Sequence, residues 1–529
     1  MYQLLDSPWI PVLRADGTVE SIPPFAVTDN HEDNPVISIQ AVRPDFTGSL
    51  VQLLIGLAQT ALAPDNDREW RDLYQNPPSP EELRNAFREY ESAFALGPDV
   101  GRPLFLQEQN LDGSVLPISR LFLEMPGENA EKNNTDFFLK RGEFDKLCPA
   151  CAAAALYTYQ THASFGGAGH RVGLRGGGPL STIVRGDTLW QTIWLNVLPA
   201  SEMGRFGDLS KKDPDAIFSW LEPWDESRAK QIVSPSMMHP CHMFWGMPRR
   251  IRLEFGEGGT CDLCGSESDT SVTGFVTKAK GMNYGFWHHT LTPINTDLKK
   301  QESSCQHVQP GGIPYRYWTI VMQPSSTKDY QKEPAPVVTH FLDKKLRFVS
   351  KKNGDKSFRV WSSGYDMDKA KARCYYEGTM PVFGVEDTIR PEFEQAAQTF
   401  VESASYASKV TISQIKAALY SNAGDAKGDF SVISSRFWQD TEPDFYDALA
   451  SVEKILPEKG FDGLSEDGGP NHAWFTVLST EVFSLFDEYA LSLQIGESNP
   501  GRIARARRDL ARMLYSKKGI RASLGLIEA

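Results

Sequence analysis

The first residues of the chain alternate between apolar and polar side chains. Positions 9–13 and 19–22 show this period of two on either side of Ala15-Asp-Gly17, which predicts two strands joined by a tight turn. Residues 46–62 are apolar almost throughout and predict a buried helix. Ser79-Pro-Glu-Glu82 has the form of a capping box with proline in the first helical turn. The first hundred residues therefore mix short strands with helices.

The pattern changes between residues 100 and 330, where short β-like runs and many glycines follow one another. Runs at 251–255, 271–276 and 315–321 predict strands, and residues 189–198 predict a short helix. Strands and helices do not alternate regularly here. We therefore expect an α+β domain rather than a doubly wound one.

The last part of the chain has helical periodicity. Amphipathic stretches predict helices at 391–420, 434–456, 471–494 and 500–516. Four such helices with modest loops typically form a four-helix bundle. We therefore expect a large mixed α+β domain over 1–380, followed by a C-terminal four-helix bundle over 381–529.

The composition is that of an ordinary soluble globular protein, with 40% hydrophobic and 23% charged residues. No apolar run reaches the roughly 18–20 residues that cross a bilayer, and the first residues lack the features of a secretory signal. Seven cysteines in 529 residues are too few, and odd in number, for a disulfide scaffold. We expect a reduced, cytoplasmic protein without a membrane partner. The net charge of −13 counts against a general nucleic-acid binder but permits local basic patches.

Two Cys-x-x-Cys pairs give the most specific chemical signal: Cys148-Pro-Ala-Cys151 and Cys261-Asp-Leu-Cys264. Four thiolates suit tetrahedral Zn²⁺, and such a site leaves no open position for catalysis. For the four cysteines to form one site, the long segment 152–260 would have to fold so that the second pair lies beside the first. A redox pair and four unrelated buried cysteines are the alternatives. We predict one structural Zn²⁺ bound by Cys148, Cys151, Cys261 and Cys264, embedded in the N-terminal domain.

A glycine-rich segment follows the first cysteine pair. Residues 162–186 contain eight glycines together with Arg171, Arg175 and Arg185, and no acidic residue. Glycines permit close approach of the backbone, and successive N–H groups bind anions. The segment is neither a dinucleotide fingerprint nor a Walker A loop. Contact with a phosphate or a nucleic-acid groove and a set of tight turns in a β-rich domain are both open.

The last predicted helix has two unlike faces. Ile503, Leu510 and Leu514 share one side, and Arg505, Arg508 and Arg512 share the other. From 500 to 529 there are eight basic residues and two acidic ones. A basic ridge of this kind is either a solvated surface or a face that follows a phosphate backbone.

The sequence contains no hydrolase, kinase or nucleotide-binding motif that we can identify. His239-x-x-His242 and His288-His289 could serve as metal ligands, but no paired carboxylates lie near them in the sequence, which favours structural or groove-lining histidines. We see no catalytic constellation, and we expect that the protein is not an enzyme.

The order of these features resembles the large subunit of the type I-E CRISPR Cascade complex, the CasA-type family. The similarity extends over nearly the whole chain, including the helical C-terminal region. The matching stretches are Leu5-Asp-Ser-Pro-Trp-Ile-Pro-Val12, Leu147-Cys-Pro-Ala-Cys151, Gly166-Gly167, Gly173-Leu-Arg-Gly-Gly-Gly-Pro-Leu180, Thr182-Ile-Val-Arg-Gly186, Leu195-Asn-Val-Leu198, Pro248-Arg-Arg-Ile-Arg-Leu-Glu254, Cys261-Asp-Leu-Cys264 and Val272-Thr-Gly-Phe275.

The resemblance implies a subunit without catalysis of its own. Its partners would be the other Cascade subunits and crRNA, the target double-stranded DNA, and the CRISPR helicase-nuclease. Such a subunit recognises the protospacer-adjacent motif in duplex DNA, helps to start unwinding, and provides the surface on which the helicase-nuclease lands. In guided recognition, base pairing determines most of the specificity and protein contacts identify the short motif. An acidic subunit held in an assembly therefore needs only local DNA contacts.

The resemblance also assigns residues. The family's glycine loop corresponds to Gly166, Gly167 and Gly169, and its lysine finger corresponds to Lys278 or Lys280. The family's glutamine-tipped wedge falls near 364–370, where Lys369 and Ala370 stand without a glutamine. The loop that contacts the crRNA 5′ handle falls at about 130–146. There Phe137 matches an aromatic residue and Leu139 replaces a polar one.

Two hypotheses of different classes remain. The first is the DNA-inspecting, non-enzymatic subunit of a ribonucleoprotein. The alternative is a free-standing zinc-containing hydrolase that uses His239, His242 or His288.

Overall fold

The computed structural model describes residues 2–97, 102–134, 142–167, 169–353, 358–368, 371–422, 424, 426, 429–491 and 499–527. The chain forms two compact units. Unit 1 contains Met1–Val308, Ala335–Lys345 and Trp361–Glu377, and unit 2 contains Gln309–Pro334, Leu346–Val360 and Gly378–Ala529. Unit 2 therefore includes two segments that precede the boundary expected near 380.

Unit 1 contains small, mostly antiparallel sheets. A three-stranded sheet places Ile10–Arg14 between Val19–Ile22 and Val36–Ile39. A long hairpin pairs Arg250–Thr260 with Glu267–Lys278. The other strands of this unit are Tyr2–Gln3, Ala95–Gly97, Leu116–Pro117, Ser181–Arg185, Ile232–Val233, Asn283–Tyr284, Ile294–Asp297 and Glu302–Cys305, together with most of Arg359–Asp368 and Lys371–Pro381.

Helices stand between these strands without regular alternation. They are Pro44–Leu62, Asp67–Gln75, Pro80–Arg88, Glu128–Lys132, Pro149–His162, Leu189–Leu195, Ala200–Met203, Pro214–Ile217 and Pro336–His340, with a π-helical turn at Phe341–Lys345. This confirms the predicted α+β class.

Local signals in the sequence account for the N-terminal elements. Gly17 lies in the turn between the first two paired strands with φ +89°, a conformation that favours glycine. Helix Pro44–Leu62 is buried along most of its length. The Ser79 hydroxyl accepts a bond from the Glu82 N–H, and the Glu82 carboxylate accepts one from the Ser79 N–H. The predicted capping box is therefore confirmed.

The core of unit 1 surrounds the helix Pro149–His162. Its Tyr157 ring lies 6.1 Å from the ring of Trp245, which contacts Phe94 edge-on at 5.4 Å. The Gln52 amide donates to the Tyr157 hydroxyl, and the Gln52 carbonyl accepts from Arg175 at 2.6 Å. Packed aromatic rings with satisfied polar groups hold this helix in place.

Unit 2 consists mainly of helices. Trp474 is fully buried, and its indole N–H donates to the Phe400 carbonyl and the Ser403 hydroxyl, which ties two long helices together. The helices of this unit are Trp318–Val321, Leu346–Asn353, Arg390–Leu419, Ser431–Asp440, Glu442–Lys459, Pro470–Leu491, Pro500–Tyr515 and Ile520–Ser523, and its strands are Ser325–Ser326 and Tyr330–Glu333.

Two predicted elements of unit 2 are different in the structure. Residues 315–321 are not a strand but a 3-10 turn, Tyr315–Tyr317, followed by the helical turn Trp318–Val321. Short apolar runs have no distinctive period, and here Tyr315 is buried by stacking on Phe445 at 4.3 Å. The predicted helix 434–456 is two helices that meet at Thr441. The second has proline in its first turn, where the missing N–H costs no hydrogen bond.

None of the helices in the described parts of the chain combines the length and apolar character that a membrane span requires.

Candidate metal centre and nucleic-acid interface

The four predicted metal ligands come together. The Cys148 and Cys264 sulfur atoms are 3.7 Å apart, and all four sulfurs lie within 4.8 Å of one another. The separation of 3.7 Å is far longer than a disulfide bond of about 2.05 Å, and all four cysteines are free thiols. Zinc–sulfur bonds of about 2.3 Å place tetrahedral ligands about 3.8 Å apart. The donor set and spacing therefore fit a tetrahedral divalent metal.

The chain positions each pair of cysteines by local structure. Cys148 is the N-cap of helix Pro149–His162, and its sulfur accepts a bond from the Cys151 N–H. The other pair lies in the turn of the long hairpin, where Gly265 has φ +74°. The Asp262 carboxylate accepts bonds from the N–H groups of residues 145 and 146 at 2.8 Å, which joins the two segments.

The thiols interact strongly with one another. Contacts with Cys148 and Cys261, together with burial, raise the pKa of Cys151. Hydrogen bonds from Cys148 and Cys151 lower the pKa of Cys261. The cluster therefore favours one negative charge and opposes several. Binding of a divalent cation, which releases thiol protons, would remove that opposition.

The glycine loop begins where helix Pro149–His162 ends. Arg249, which is only 4% exposed, donates to the carbonyl of Ser164 in this loop. A Cβ placed on Gly166 would lie 2.6 Å from Nη1 of Arg249 and 2.8 Å from Cβ of His170. A side chain at Gly166 would therefore force Arg249 and His170 to shift.

Gly167 and Gly169 differ from Gly166 in backbone conformation. All three glycines are exposed, but only Gly167 and Gly169 have positive φ, +67° and +85°. A Cβ on Gly167 would meet nothing within 4 Å. The loop therefore presents backbone to solvent at Gly167, with open space beside it.

Lys280 lies next to this loop. Its backbone N–H donates to the Gly169 carbonyl at 3.0 Å, and its Cγ lies 3.9 Å from a Cβ placed on Gly169. Lys278 is the last residue of the hairpin strand, where it pairs with Arg250. Both lysines are exposed. The structure thus brings the glycine loop and the lysine segment together, as the sequence hypothesis requires.

An open groove of about 470 Å³ lies along the loop. The described residues that line it include no acidic one; they are Phe165, Gly167, Gly169, His170, Arg171, Val172, Asn283 and Tyr284. Burial and the Arg249 cation lower the pKa of His170. The Tyr284 hydroxyl accepts from the Met247 N–H and contacts the His242 ring, so the far wall of the groove is fixed.

Three arginines near the groove are not paired with carboxylates, whereas Arg250, which donates to the Ala279 carbonyl, pairs with Glu108. Among the residues that the structure describes, Arg171, Arg175 and Arg249 pair with backbone and neutral side-chain groups rather than with acids. Burial lowers the pKa of Arg175 to about 10, so it keeps its charge at neutral pH. Because Arg175 is enclosed in the core, its role is structural. Together these cations make the loop region locally positive on an acidic chain.

One helix and one strand connect the cysteine cluster to the groove. The helix runs from Cys148 to the glycine loop over 14 residues, about 21 Å. The strand Glu267–Lys278 runs from the hairpin turn toward Lys280. Leu147, which precedes Cys148, forms a β-bridge with Val272 of this strand. The cysteine cluster therefore supports the loop from a distance and does not line the groove.

The last long helix, Pro500–Tyr515, has the two faces that the sequence predicts. Ile503, Ala506, Leu510 and Leu514 are buried, and Arg505, Arg508 and Arg512 are exposed. Two other arginines of this helix have structural partners: Arg502 donates to the carbonyls of Ala418 and Leu419, and Arg507 pairs with Asp487. Arg508 also lies 3.7 Å from the carboxylate of the neighbouring Asp509.

Of the three histidines of the hydrolase hypothesis, His242 is part of the core, and His239 and His288 are half-buried. His242 is fully buried between the Ile217 carbonyl and Tyr284, and burial lowers its pKa to about 4. His239 accepts the Cys241 N–H, and burial lowers the pKa of His288 to about 4. In the described part of the chain, the only group of three or more potential metal ligands is the four-cysteine cluster. The hydrolase hypothesis therefore has no set of metal ligands that includes these histidines among the described residues.

Three predicted contact residues, Phe137, Lys369 and Ala370, lie outside the described residues, as does Leu139. Arg249 and Phe165 were not predicted from the sequence as site residues. No pattern marks Arg249, because its partners in the loop lie 85 residues away in the sequence.

Comparison with known proteins places this fold. A family model described as CRISPR-associated protein Cse1 matches residues 3–466. The CasA protein of Thermus thermophilus is 16% identical, with a TM-score of 0.65 over 99% of this chain and 100% of that one. Cse1 of Thermobifida fusca is 17% identical, with a TM-score of 0.66 over 100% and 99%. A chain of a CRISPR RNA-guided surveillance complex is 15% identical, with a TM-score of 0.67 over 97% and 99%.

The fold is therefore that of the CasA and Cse1 structures. Because the family match covers most of the chain, the chain belongs to the CRISPR-associated protein Cse1 family. The resemblance to the large subunit of type I-E Cascade is confirmed.

Proposed function

We propose that this chain inspects duplex DNA within a crRNA-guided Cascade complex. It recognises the protospacer-adjacent motif, helps to start unwinding and R-loop formation, and provides the landing surface for the helicase-nuclease. Its partners are the other Cascade subunits and crRNA, the target double-stranded DNA and the helicase-nuclease. The chain performs no catalysis itself, and it acts in the cytoplasm.

The observation that carries this proposal is the hydrogen bond from the Lys280 N–H to the Gly169 carbonyl. It joins the exposed backbone at Gly169 to an exposed lysine at the edge of a groove whose described lining residues are not acidic. A duplex presents acceptors in its minor groove and phosphates along both sides. Backbone N–H groups and a lysine match that pattern.

Recognition then follows from the geometry. A loop without side chains at Gly167 and Gly169 approaches base edges in the minor groove, where A·T and G·C pairs differ by one donor. Lys280 adds a charge-assisted bond to a groove acceptor. We favour Lys280 over Lys278 as the finger, because Lys280 is the one joined to the loop.

The metal centre has a supporting role in this proposal. Zn²⁺ held by Cys148, Cys151, Cys261 and Cys264 would cross-link the start of the helix to the hairpin turn. The helix and the hairpin lead to the glycine loop and Lys280. Metal binding therefore stabilises the frame that sets their separation.

Further contacts complete the proposal. The C-terminal helices form a four-helix bundle whose Arg505, Arg508 and Arg512 contact the phosphates of target DNA or of a displaced strand. Lys369-Ala370 acts as the wedge at the first base pair, and Phe137 contacts the crRNA.

The test is the affinity of reconstituted Cascade for matched targets with and without the adjacent motif. Complexes that contain this chain should prefer the motif, and complexes that lack it should not. Lys280→Ala should reduce the preference, and Lys278→Ala is the matched control on the same strand end. A motif preference that persists without the chain would refute the proposal.

A further inference from the structure

Phe165 is the most exposed large apolar side chain among the described residues, at 72%. A single apolar residue on a surface needs no explanation by itself. Phe165, however, lines the groove beside Gly167, in the segment that we propose contacts DNA.

The backbone on both sides of Phe165 is held in place. Arg249 donates to the carbonyl of Ser164, and a Cβ on Gly177 would lie 2.8 Å from the Ser164 Cα. On the other side, Gly166 packs against Arg249 and His170. The ring therefore projects from a fixed base, so that little ordering is needed when it enters a partner.

The surroundings of the ring favour a polyanion. Arg171 and His170 line the same groove, Arg249 lies beneath the loop, and Lys280 borders it. An apolar ring beside cations such as Arg171, Arg249 and Lys280 is typical of proteins that insert a side chain between base steps while cations bind the flanking phosphates.

We propose that Phe165 inserts between neighbouring base pairs from the minor groove, at the step next to the one that the glycine loop contacts. This inference rests on the proposed function. The partner is duplex DNA, and the insertion assists unstacking at the motif.

The test uses assembled Cascade with Phe165→Ala, Phe165→Leu and, as a matched control, Phe286→Ala, which removes a phenylalanine that is 44% exposed and lies outside the groove lining. The targets are an intact motif-containing duplex and the same duplex with the motif-proximal pairs already opened by mismatches. Phe165→Ala should weaken binding to the intact duplex roughly tenfold and to the opened duplex much less. Phe165→Leu should retain part of the affinity.

The second measurement is the fluorescence of 2-aminopurine placed at each step beside the motif. It should rise with the wild-type complex and rise less with Phe165→Ala. Equal losses on both duplexes, or unchanged fluorescence and affinity, would overturn the insertion. Impaired assembly of Phe165→Ala would instead assign the ring to a protein contact and also overturn it. If the wild-type complex shows no motif preference, the proposed function is contradicted. The insertion is judged separately, from the 2-aminopurine fluorescence of the bound duplex.

Discussion

Gly166→Ala should mainly reduce the stability of the protein, and Gly167→Ala should mainly reduce its binding to DNA, although the two residues are neighbours. At Gly166 the new methyl group would lie 2.6 Å from the Arg249 guanidinium. At Gly167 it would meet nothing within 4 Å, but the backbone φ of +67° disfavours it. The first change disturbs the protein, and the second places an atom in the groove.

The structure gives the size of each effect. Arg249 must shift to admit the methyl group, and it then loses a charge-assisted bond to the Ser164 carbonyl in a site where Arg249 is only 4% exposed. Such a loss costs about 2 kcal/mol. The left-handed conformation at Gly167 costs alanine about 1 kcal/mol. Both losses are smaller than a typical stability of about 5–15 kcal/mol, so both variants should fold.

Thermal or urea unfolding of the full chain and DNA binding by the assembled complex measure the two effects separately. Gly166→Ala should lower the melting temperature more, and Gly167→Ala should lower the affinity for motif-containing duplex more. Gly17→Ala is the control, because Gly17 also has positive φ, +89°, and open space around it, in a turn away from the groove. If Gly167→Ala proves the more destabilising change, or if Gly166→Ala alone affects binding, the assignment of the two glycines is wrong.

Two further predictions concern the metal and the basic ridge. Metal analysis should find about one zinc per chain, and Cys264→Ser should lower the melting temperature, because metal binding is coupled to folding. A metal-free chain of unchanged stability would exclude the site. Reversing the charges of Arg505, Arg508 and Arg512 should weaken DNA binding for all sequences and reduce the slope of log affinity against log salt by roughly 0.9 for each phosphate that is no longer neutralised. These side chains are exposed, so the melting temperature should stay nearly constant. Unchanged binding at low salt would show that the ridge is a solvated surface.

Local chemistry explains which elements were predictable. The capping box at Ser79, the turn at Gly17 and the helix predicted over 46–62 depend on residues close in sequence. The structure confirms them, with the helix beginning two residues earlier, at Pro44. The strand prediction for 315–321 was wrong because the apolar residues there have no decisive period, and tertiary packing makes the segment helical.

The candidate site likewise contains features that the sequence predicts and contacts that it does not. The spacing of the two cysteine pairs predicted a four-thiol cluster, and the fold brings the pairs together. Spacing does not reveal that Gly166 is a glycine because of Arg249, or that the Lys280 N–H reaches the Gly169 carbonyl. Both contacts depend on how the helix and the hairpin pack side by side, which no local pattern encodes.

Gly167→Asp in assembled Cascade tests the central claim most directly. Aspartate and asparagine tolerate positive φ better than most residues, so Gly167→Asn provides a control of equal size without the charge. The measurement is the ratio of affinities for a matched target with and without the adjacent motif. The ratio should fall toward one for Gly167→Asp, while assembly stays intact and Gly167→Asn retains part of the preference. If the Gly167→Asp complex prefers the motif as strongly as the wild type does, the glycine loop does not recognise the motif.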